Sequence, residues 1–223
     1  LSLAIVMALY QKERTGLGRR VDVSMLDTIF SILETGAISY TLNGKIAEPA
    51  GNRDPEIAPF DVLKAKDGSF AIACGTQKFW KSLCQVMNRP ELAENPHFID
   101  NQARCDHYLD ELKPLLEEWS SQHTLAELET WMTGAGIPFG RICNTKEACE
   151  SEIIKRRHML WQIDDPAFGE TISVPGTPMK IHGCADQAER PAPQLGQHTD
   201  AILHDLLHLD MDAIKNLHET NVI

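Results

Sequence analysis

The sequence predicts a mixed α/β protein, on three observations. Asp67-Gly68 is a two-residue hairpin signal set between residues 60–66, which alternate apolar and polar, and an apolar strand at 70–74. Helical stretches with apolar residues at three- and four-residue spacing lie on both sides of that hairpin, several opened by capping sequences. From about Leu160 the pattern changes to short strands between Asp-Pro, Gly and Pro turns.

Taken in order, residues 1–14 read as a mostly apolar helix whose polar end carries Lys12 and Arg14, suited to the negative end of the helix dipole. A helix of that composition belongs inside a larger body. It starts without a convincing N-cap, an initiator methionine or a signal-peptide pattern, so the expectation is a fragment whose upstream part is missing. Residues 15–20 form a turn, residues 20–23 a short strand, and Ser24-Met-Leu-Asp27 a capping arrangement for a helix to about Tyr40. Gly51, Asn52, Pro55 and Pro59 then write a turn-rich loop ahead of the hairpin. Residues 77–87 are an amphipathic helix with Phe79, Trp80, Leu83, Cys84 and Met87 on its apolar side. Helix resumes near Asn101 and runs to about Ser120, with Pro114 forcing a kink or a new start. Thr124-Leu-Ala-Glu127 is a capping box for a helix to about Thr133, ended by Gly134-Ala-Gly136. Residues 137–142 read as a strand, and Asn144-Thr-Lys-Glu147 caps a short helix. Short strands are expected at 160–163, 171–174 and 179–182, an extended connector at 183–196, and two closing helices at 200–207 and 211–218.

The formal net charge is −11 with no basic block, which argues against nucleic acid or an anionic membrane as main partner. No apolar run approaches the length of a membrane span. The six cysteines form no Cys-x-x-Cys pair and several sit among apolar residues, which reads as free thiols in a reducing, cytoplasmic compartment.

Few patterns point to chemistry. Gly16-x-Gly18 has neither a preceding strand nor a following Gly-Lys-Ser/Thr, so it is not a phosphate loop. The one helical i, i+4 histidine pair, His204 and His208, has Asp205 where a zincin needs glutamate, and no third ligand; no metal site is expected. No Gly-x-Ser-x-Gly elbow anchors a serine triad. Asp27 is most simply a first-turn acid. Arg53 is the best single candidate. Its guanidinium fork suits a carboxylate or phosphate, and the competing reading is a surface arginine paired with Asp54 or Glu56.

Four segments together resemble the family III CoA-transferases, a group that includes formyl-CoA:oxalate transferases and α-methylacyl-CoA racemases. They are Lys12-Glu-Arg-Thr-Gly-Leu-Gly-Arg-Arg-Val-Asp-Val-Ser-Met-Leu-Asp27, then Gly51-Asn-Arg-Asp-Pro-Glu-Ile-Ala-Pro-Phe60 with Asp67-Gly68, then Ala135-Gly-Ile-Pro-Phe-Gly140, and Leu195-Gly-Gln-His-Thr-Asp-Ala-Ile-Leu203. Each alone is weakly specific; the ordered set spans essentially the whole chain.

That resemblance implies the end of a Rossmann-like large domain over residues 1–43 and a linker and substrate-covering loop over 44–57. It further implies a small α/β domain over 58–182 and a connector with C-terminal helices over 183–223, in an interlocked homodimer. It implies transfer of CoA from an acyl-CoA thioester to a carboxylic acid through aspartyl anhydride and aspartyl thioester intermediates, with no bound cofactor. The nucleophilic aspartate is expected upstream of Leu1. Met25 matches a family residue near the active site, and Gly51, Asn52, Arg53 and Asp54 stand where the family has its substrate-covering loop. Formyl-CoA transferases have a glycine run there, so Gly-Asn-Arg-Asp points away from the formyl/oxalate pair and toward another acceptor, such as a dicarboxylate. Two other readings stand beside this one: an acyl-CoA racemase, and a non-catalytic interlocking and substrate-covering module.

Overall fold

A computed structural model describes residues 1–33, 35–184 and 190–223. They form two compact units, Leu1–Arg141 and Ile142–Ile223.

The first unit opens with three helices, α1 (Ser2–Thr15), α2 (Met25–Ser31) and α3 (Thr35–Asn43). None of the three has a buried residue; their apolar side chains, Leu3, Val6, Phe30 and Ile38 among them, face outward. Ser24 caps α2 as expected, its hydroxyl accepting from the Asp27 N–H at 3.0 Å. The single helix predicted to Tyr40 is instead broken after Ser31. There the Ser31 hydroxyl takes the Thr28 carbonyl at 2.8 Å, and Ile32 and Leu33 bond three residues back rather than four. Residues 20–23, predicted as a strand, join no ladder among the described residues.

An antiparallel sheet follows, in the order β1 (Phe60–Ala65), β2 (Gly68–Ala73), β3 (Phe139–Arg141). The hairpin forms where Asp67-Gly68 places it, pairing Asp61 with Ile72 and Leu63 with Phe70. Those four residues are all buried. Gly68 has a packing reason as well as a turn reason: a Cβ there would lie 2.8 Å from Leu125 Cδ1. Asp67 meanwhile accepts the Leu125 N–H at 2.7 Å, so the hairpin turn docks on a helix start.

The sheet is covered by α4 (Gln77–Val86), a 3₁₀ turn (Pro90–Glu94), α5 (Asn101–Asp106), a π turn (Tyr108–Leu112), α6 (Lys113–Ser120) and α7 (Leu125–Gly134). Trp80, Leu83, Leu112, Leu116, Leu128 and Met132 pack with Phe70 and Leu63 into one core. The Thr124/Glu127 capping box opens α7 as read from the sequence. Pro114 restarts the helix, because it has no N–H for the Asp110 carbonyl, and the preceding turn widens: Leu112 N–H reaches His107 O at 3.0 Å. The strand predicted from Ile137 starts two residues later. Gly136 takes φ +69°, and Ile137 N–H returns to Met132 O at 2.8 Å, so these residues close α7.

Burial pushes the Cys74 and Cys84 thiols from 9.0 up to about 12, and burial, then the neighbouring Asp61 charge, pushes Tyr108 upward. The folded state keeps protons that the unfolded chain releases. This stability is complete below pH 9.0 and is lost as pH rises toward about 12. The urea midpoint is therefore expected to fall between about pH 8 and about pH 11, and Cys84→Ala to make that fall shallower. An unchanged slope in the variant would remove the thiol from the account.

The second unit holds α8 (Thr145–Glu150), α9 (Glu152–Arg156), the hairpin β4 (Leu160–Asp165) and β5 (Glu170–Pro175), then α10 (Thr199–Leu207) and α11 (Met211–Glu219). Asn144 and Glu147 cap α8 as predicted, and they do so through a reciprocal capping box. Residues 179–182 form no strand among the described residues, and residues 185–189 of the predicted connector lie outside them.

Candidate functional site

The loop between α3 and β1 is fixed at its exit. Gly51 turns it at φ +69°. Asp54 N–H donates to Phe60 O at 2.9 Å, and the Asp54 carboxylate accepts the Glu56 N–H at 2.8 Å, folding the chain around Pro55. Asn101, the first residue of α5, serves two backbone groups at once. It donates to Glu56 O at 2.7 Å and accepts from Ala58 N–H at 3.1 Å. Arg104, one turn on, donates from Nε to Ala58 O at 2.7 Å. Its Nη1 reaches Gln77 Oε1 at 2.9 Å and Phe98 O at 3.1 Å, and its guanidinium lies 5.3 Å from the Trp80 ring centre. Arg104 is only 1% exposed, and burial lowers its pKa. Pro59 O then accepts from Cys74 N–H at 2.8 Å, tying the loop end to the sheet.

The tip of this loop walls a cleft of about 800 Å³ together with α3 and residues 45–50. Lys45, Glu48, Asn52, Arg53, Asp54 and Phe60 are among its lining. The competing reading of Arg53, a surface pair with Asp54 or Glu56, does not form among the described residues. Asp54 is committed to the Glu56 N–H, and the Glu56 carboxylate faces Lys45 Nζ at 3.8 Å. Among the described residues no hydrogen bond or ion pair engages the Arg53 guanidinium. Its charge is felt by Tyr108 and Cys105, in each case opposing the upward push of burial.

Below the loop lies a buried polar group absent from the sequence reading. Asp61, 4% exposed, accepts from Tyr108 Oη at 3.0 Å, Lys113 Nζ at 2.5 Å and Val62 N–H at 2.7 Å. The structure thus brings Asn52, Arg53 and Asp54 into one cleft. Gly51 shapes the loop without lining the cleft, and Met25, first residue of α2, is 86% exposed and outside that lining. Asn101, Arg104, Asp61, Tyr108 and Lys113 are the supporting residues that the sequence did not single out. Asp61 lies on the same strand face as the inward Leu63, two residues on, and that shared phase was the one signal in the sequence that could have found it. Of the His204/His208 pair, His204 Nδ1 meets Asp205 at 2.7 Å, and His208 ends α10 in the left-handed region at φ +55°.

The family model of CoA-transferase family III matches residues 1–199. An acetyl-CoA:oxalate CoA-transferase of Acetobacter aceti is 37% identical over 199 residues, 89% of this chain and 49% of that protein. A succinyl-CoA–D-citramalate CoA-transferase of Chloroflexus aurantiacus is 32% identical across 100% of this chain and 55% of that protein. The human succinyl-CoA:glutarate CoA-transferase is 30% identical, over 99% of this chain and 50% of its own length. The chain therefore spans about half the length of these relatives. A crystal structure of a CaiB/BaiF family protein from Brucella suis superposes with a TM-score of 0.74 at 29% identity, over 92% of this chain and 52% of that one. No helix among the described residues is long and apolar enough to cross a membrane. With the model matched across nearly the whole sequence and the fold shared with solved relatives, this chain belongs to CoA-transferase family III.

Proposed function

We propose that the complete protein moves CoA from an acyl-CoA to a dicarboxylic acid, and that Arg53 holds the acceptor's second carboxylate. The observation that carries this is a guanidinium lining the cleft with no ion pair among the described residues, on a loop anchored from beneath. An arginine fork takes a carboxylate through two parallel hydrogen bonds. The relatives' names support the acceptor class: oxalate, citramalate and glutarate are all dicarboxylates. Oxalate stays among the candidates, because one of those relatives is an oxalate transferase whatever the Gly-Asn-Arg-Asp loop suggests. The same names favour transfer over racemisation.

The chemistry proposed is covalent exchange on an aspartate supplied outside these 223 residues. Its carboxylate attacks the donor thioester and CoA leaves as thiolate, giving a mixed anhydride. The thiolate attacks the aspartyl carbonyl, forming the enzyme thioester and freeing the donor acid. The acceptor carboxylate attacks that thioester, and the released thiolate then attacks the acceptor carbonyl, restoring the aspartate. No net water, proton or electron is consumed. In this scheme Arg53 fixes which carboxylate reacts by occupying the other one.

We further propose an interlocked homodimer, in which the outward apolar residues of α1, α2 and α3 are covered, and a reducing cytoplasmic setting, consistent with the buried thiols of Cys74 and Cys84. The test is steady-state kinetics of the complete enzyme with Arg53→Ala. KM for the dicarboxylate is expected to rise about tenfold or more while KM for the acyl-CoA stays within about twofold, and Arg53→Lys to recover only part. Equal KM values for the acceptor in both proteins would remove Arg53 from acceptor binding.

A further inference from the structure

We infer that His97, His107 and Glu111 form a binding site for one divalent transition-metal ion, of the Zn²⁺ class, on the outer face of the first unit. The three residues come from three pieces of backbone. His97 lies in the Asn95-Pro-His-Phe break. His107 caps the end of α5, and Glu111 sits in the π turn. One ligand atom from each lies within 4.8 Å of the others. The Glu111 carboxylate sits 2.9 Å from His97 Nδ1 and 3.2 Å from His107 Nδ1. The two imidazoles stack with centres 4.0 Å apart and planes 5° from parallel.

The donor set selects the ion. Two imidazole nitrogens and one carboxylate suit Zn²⁺, Co²⁺, Ni²⁺ or Cu²⁺, whereas Mg²⁺ and Ca²⁺ take oxygen ligands. A tetrahedral ion with bonds of about 2.0–2.1 Å needs ligand atoms about 3.3 Å apart. To bind it, the two rings must tilt out of their parallel stack, so that both in-plane lone pairs aim at one point. All three side chains are partly solvent-exposed, which allows that rotation and leaves a fourth position for water.

The backbone beneath is fixed. His97 N–H donates to Asn95 Oδ1 at 2.9 Å, and the next residue, Phe98, is buried with its ring edge-on to Trp80. The carbonyl of His107 accepts from both Glu111 N–H at 3.2 Å and Leu112 N–H at 3.0 Å. That widened turn is an uncommon conformation, and it lies between two of the three ligands. An ion here would staple the 95–98 break to the end of α5, the helix whose Asn101 and Arg104 hold the cleft loop. The inference stands on this geometry alone and is independent of the CoA-transfer reading.

The test titrates Zn²⁺ into the complete protein against a chromophoric chelator, comparing it with His97→Ala/His107→Ala. The unaltered protein is expected to hold one Zn²⁺ more than the double variant, and Glu111→Gln to weaken that ion's binding by about tenfold or more. Cu²⁺ in the same site should show nitrogen coupling from two imidazoles in its electron paramagnetic resonance spectrum, lost in the double variant. Excess Mg²⁺ should not displace the ion. Should the double variant fail to fold, the single variant His97→Gln, at an exposed position, carries the comparison. Equal Zn²⁺ stoichiometry and affinity with and without these side chains would overturn the site.

Discussion

Arg104→Met is expected to destabilise the protein by about 2–4 kcal/mol and to raise KM for the acceptor. Three acceptors lose their donor at once, the Ala58 and Phe98 carbonyls and Gln77 Oε1. Each buried acceptor left unsatisfied costs about 1–3 kcal/mol. The loss is offset in part because methionine no longer buries a guanidinium charge, and Trp80 gains an apolar neighbour in exchange for a cation. The kinetic effect follows from position. Ala58 is one of the points that fasten the exit of the cleft loop, so freeing its carbonyl loosens residues 52–54 without touching them. Arg104→Lys keeps the charge but cannot present the planar fork, and is expected to fall between the two. Urea unfolding of the three proteins checks the first claim and acceptor kinetics the second. A destabilisation under about 1 kcal/mol would mean that water serves these carbonyls and that Arg104 is not the anchor.

Asp61→Ala is expected to cost about 2–3 kcal/mol, less than the about 3–5 kcal/mol of a fully buried broken ion pair. The discount comes from Lys113, whose side chain is 28% exposed and can turn its ammonium to water once Asp61 is gone, whereas Tyr108 cannot move its buried hydroxyl as easily. Lys113→Met alone leaves a buried carboxylate with Tyr108 and one backbone N–H, and should be the worse of the two. Removing both charges is expected to cost clearly less than the sum of the single losses. A double-mutant cycle by urea unfolding measures that difference. Strict additivity would show that the two residues do not act as a pair.

The sequence made the local signals readable and hid the long-range ones. The Asp67-Gly68 hairpin, the Thr124–Glu127 capping box and the Asn144–Glu147 helix cap are encoded within a few residues, and each forms as read. The break after Ser31 was not visible, because it depends on a hydroxyl choosing a backbone carbonyl inside a helix-compatible pattern. Asn52, Arg53 and Asp54 were legible as a polar loop framed by Gly and Pro. Their support was not. Asn101 and Arg104 look like an ordinary helix start, and their partners are 43 and 46 residues away. Asp61 reads as the polar beat of an alternating strand, yet that beat faces inward with Leu63 because Tyr108 and Lys113 wait there. The histidines of the outer cluster are ten positions apart in sequence, a spacing no helix-face rule flags.

The loop's fastenings and the groups proposed to recognise the acceptor occupy different residues. Glu56, Ala58 and Pro59 are held through their main chain, which any side chain offers, while Asn52 and Arg53 at the tip make none of those attachments. A change of acid preference by substitution at the tip would thus leave the fastening untouched. Descent within such a lineage can exchange one acceptor for another by small steps, without passing through unfolded intermediates. On the proposed role of Arg53 the tip is an interchangeable cassette on a fixed mount, and it is the place where a designer seeking a new acceptor would begin.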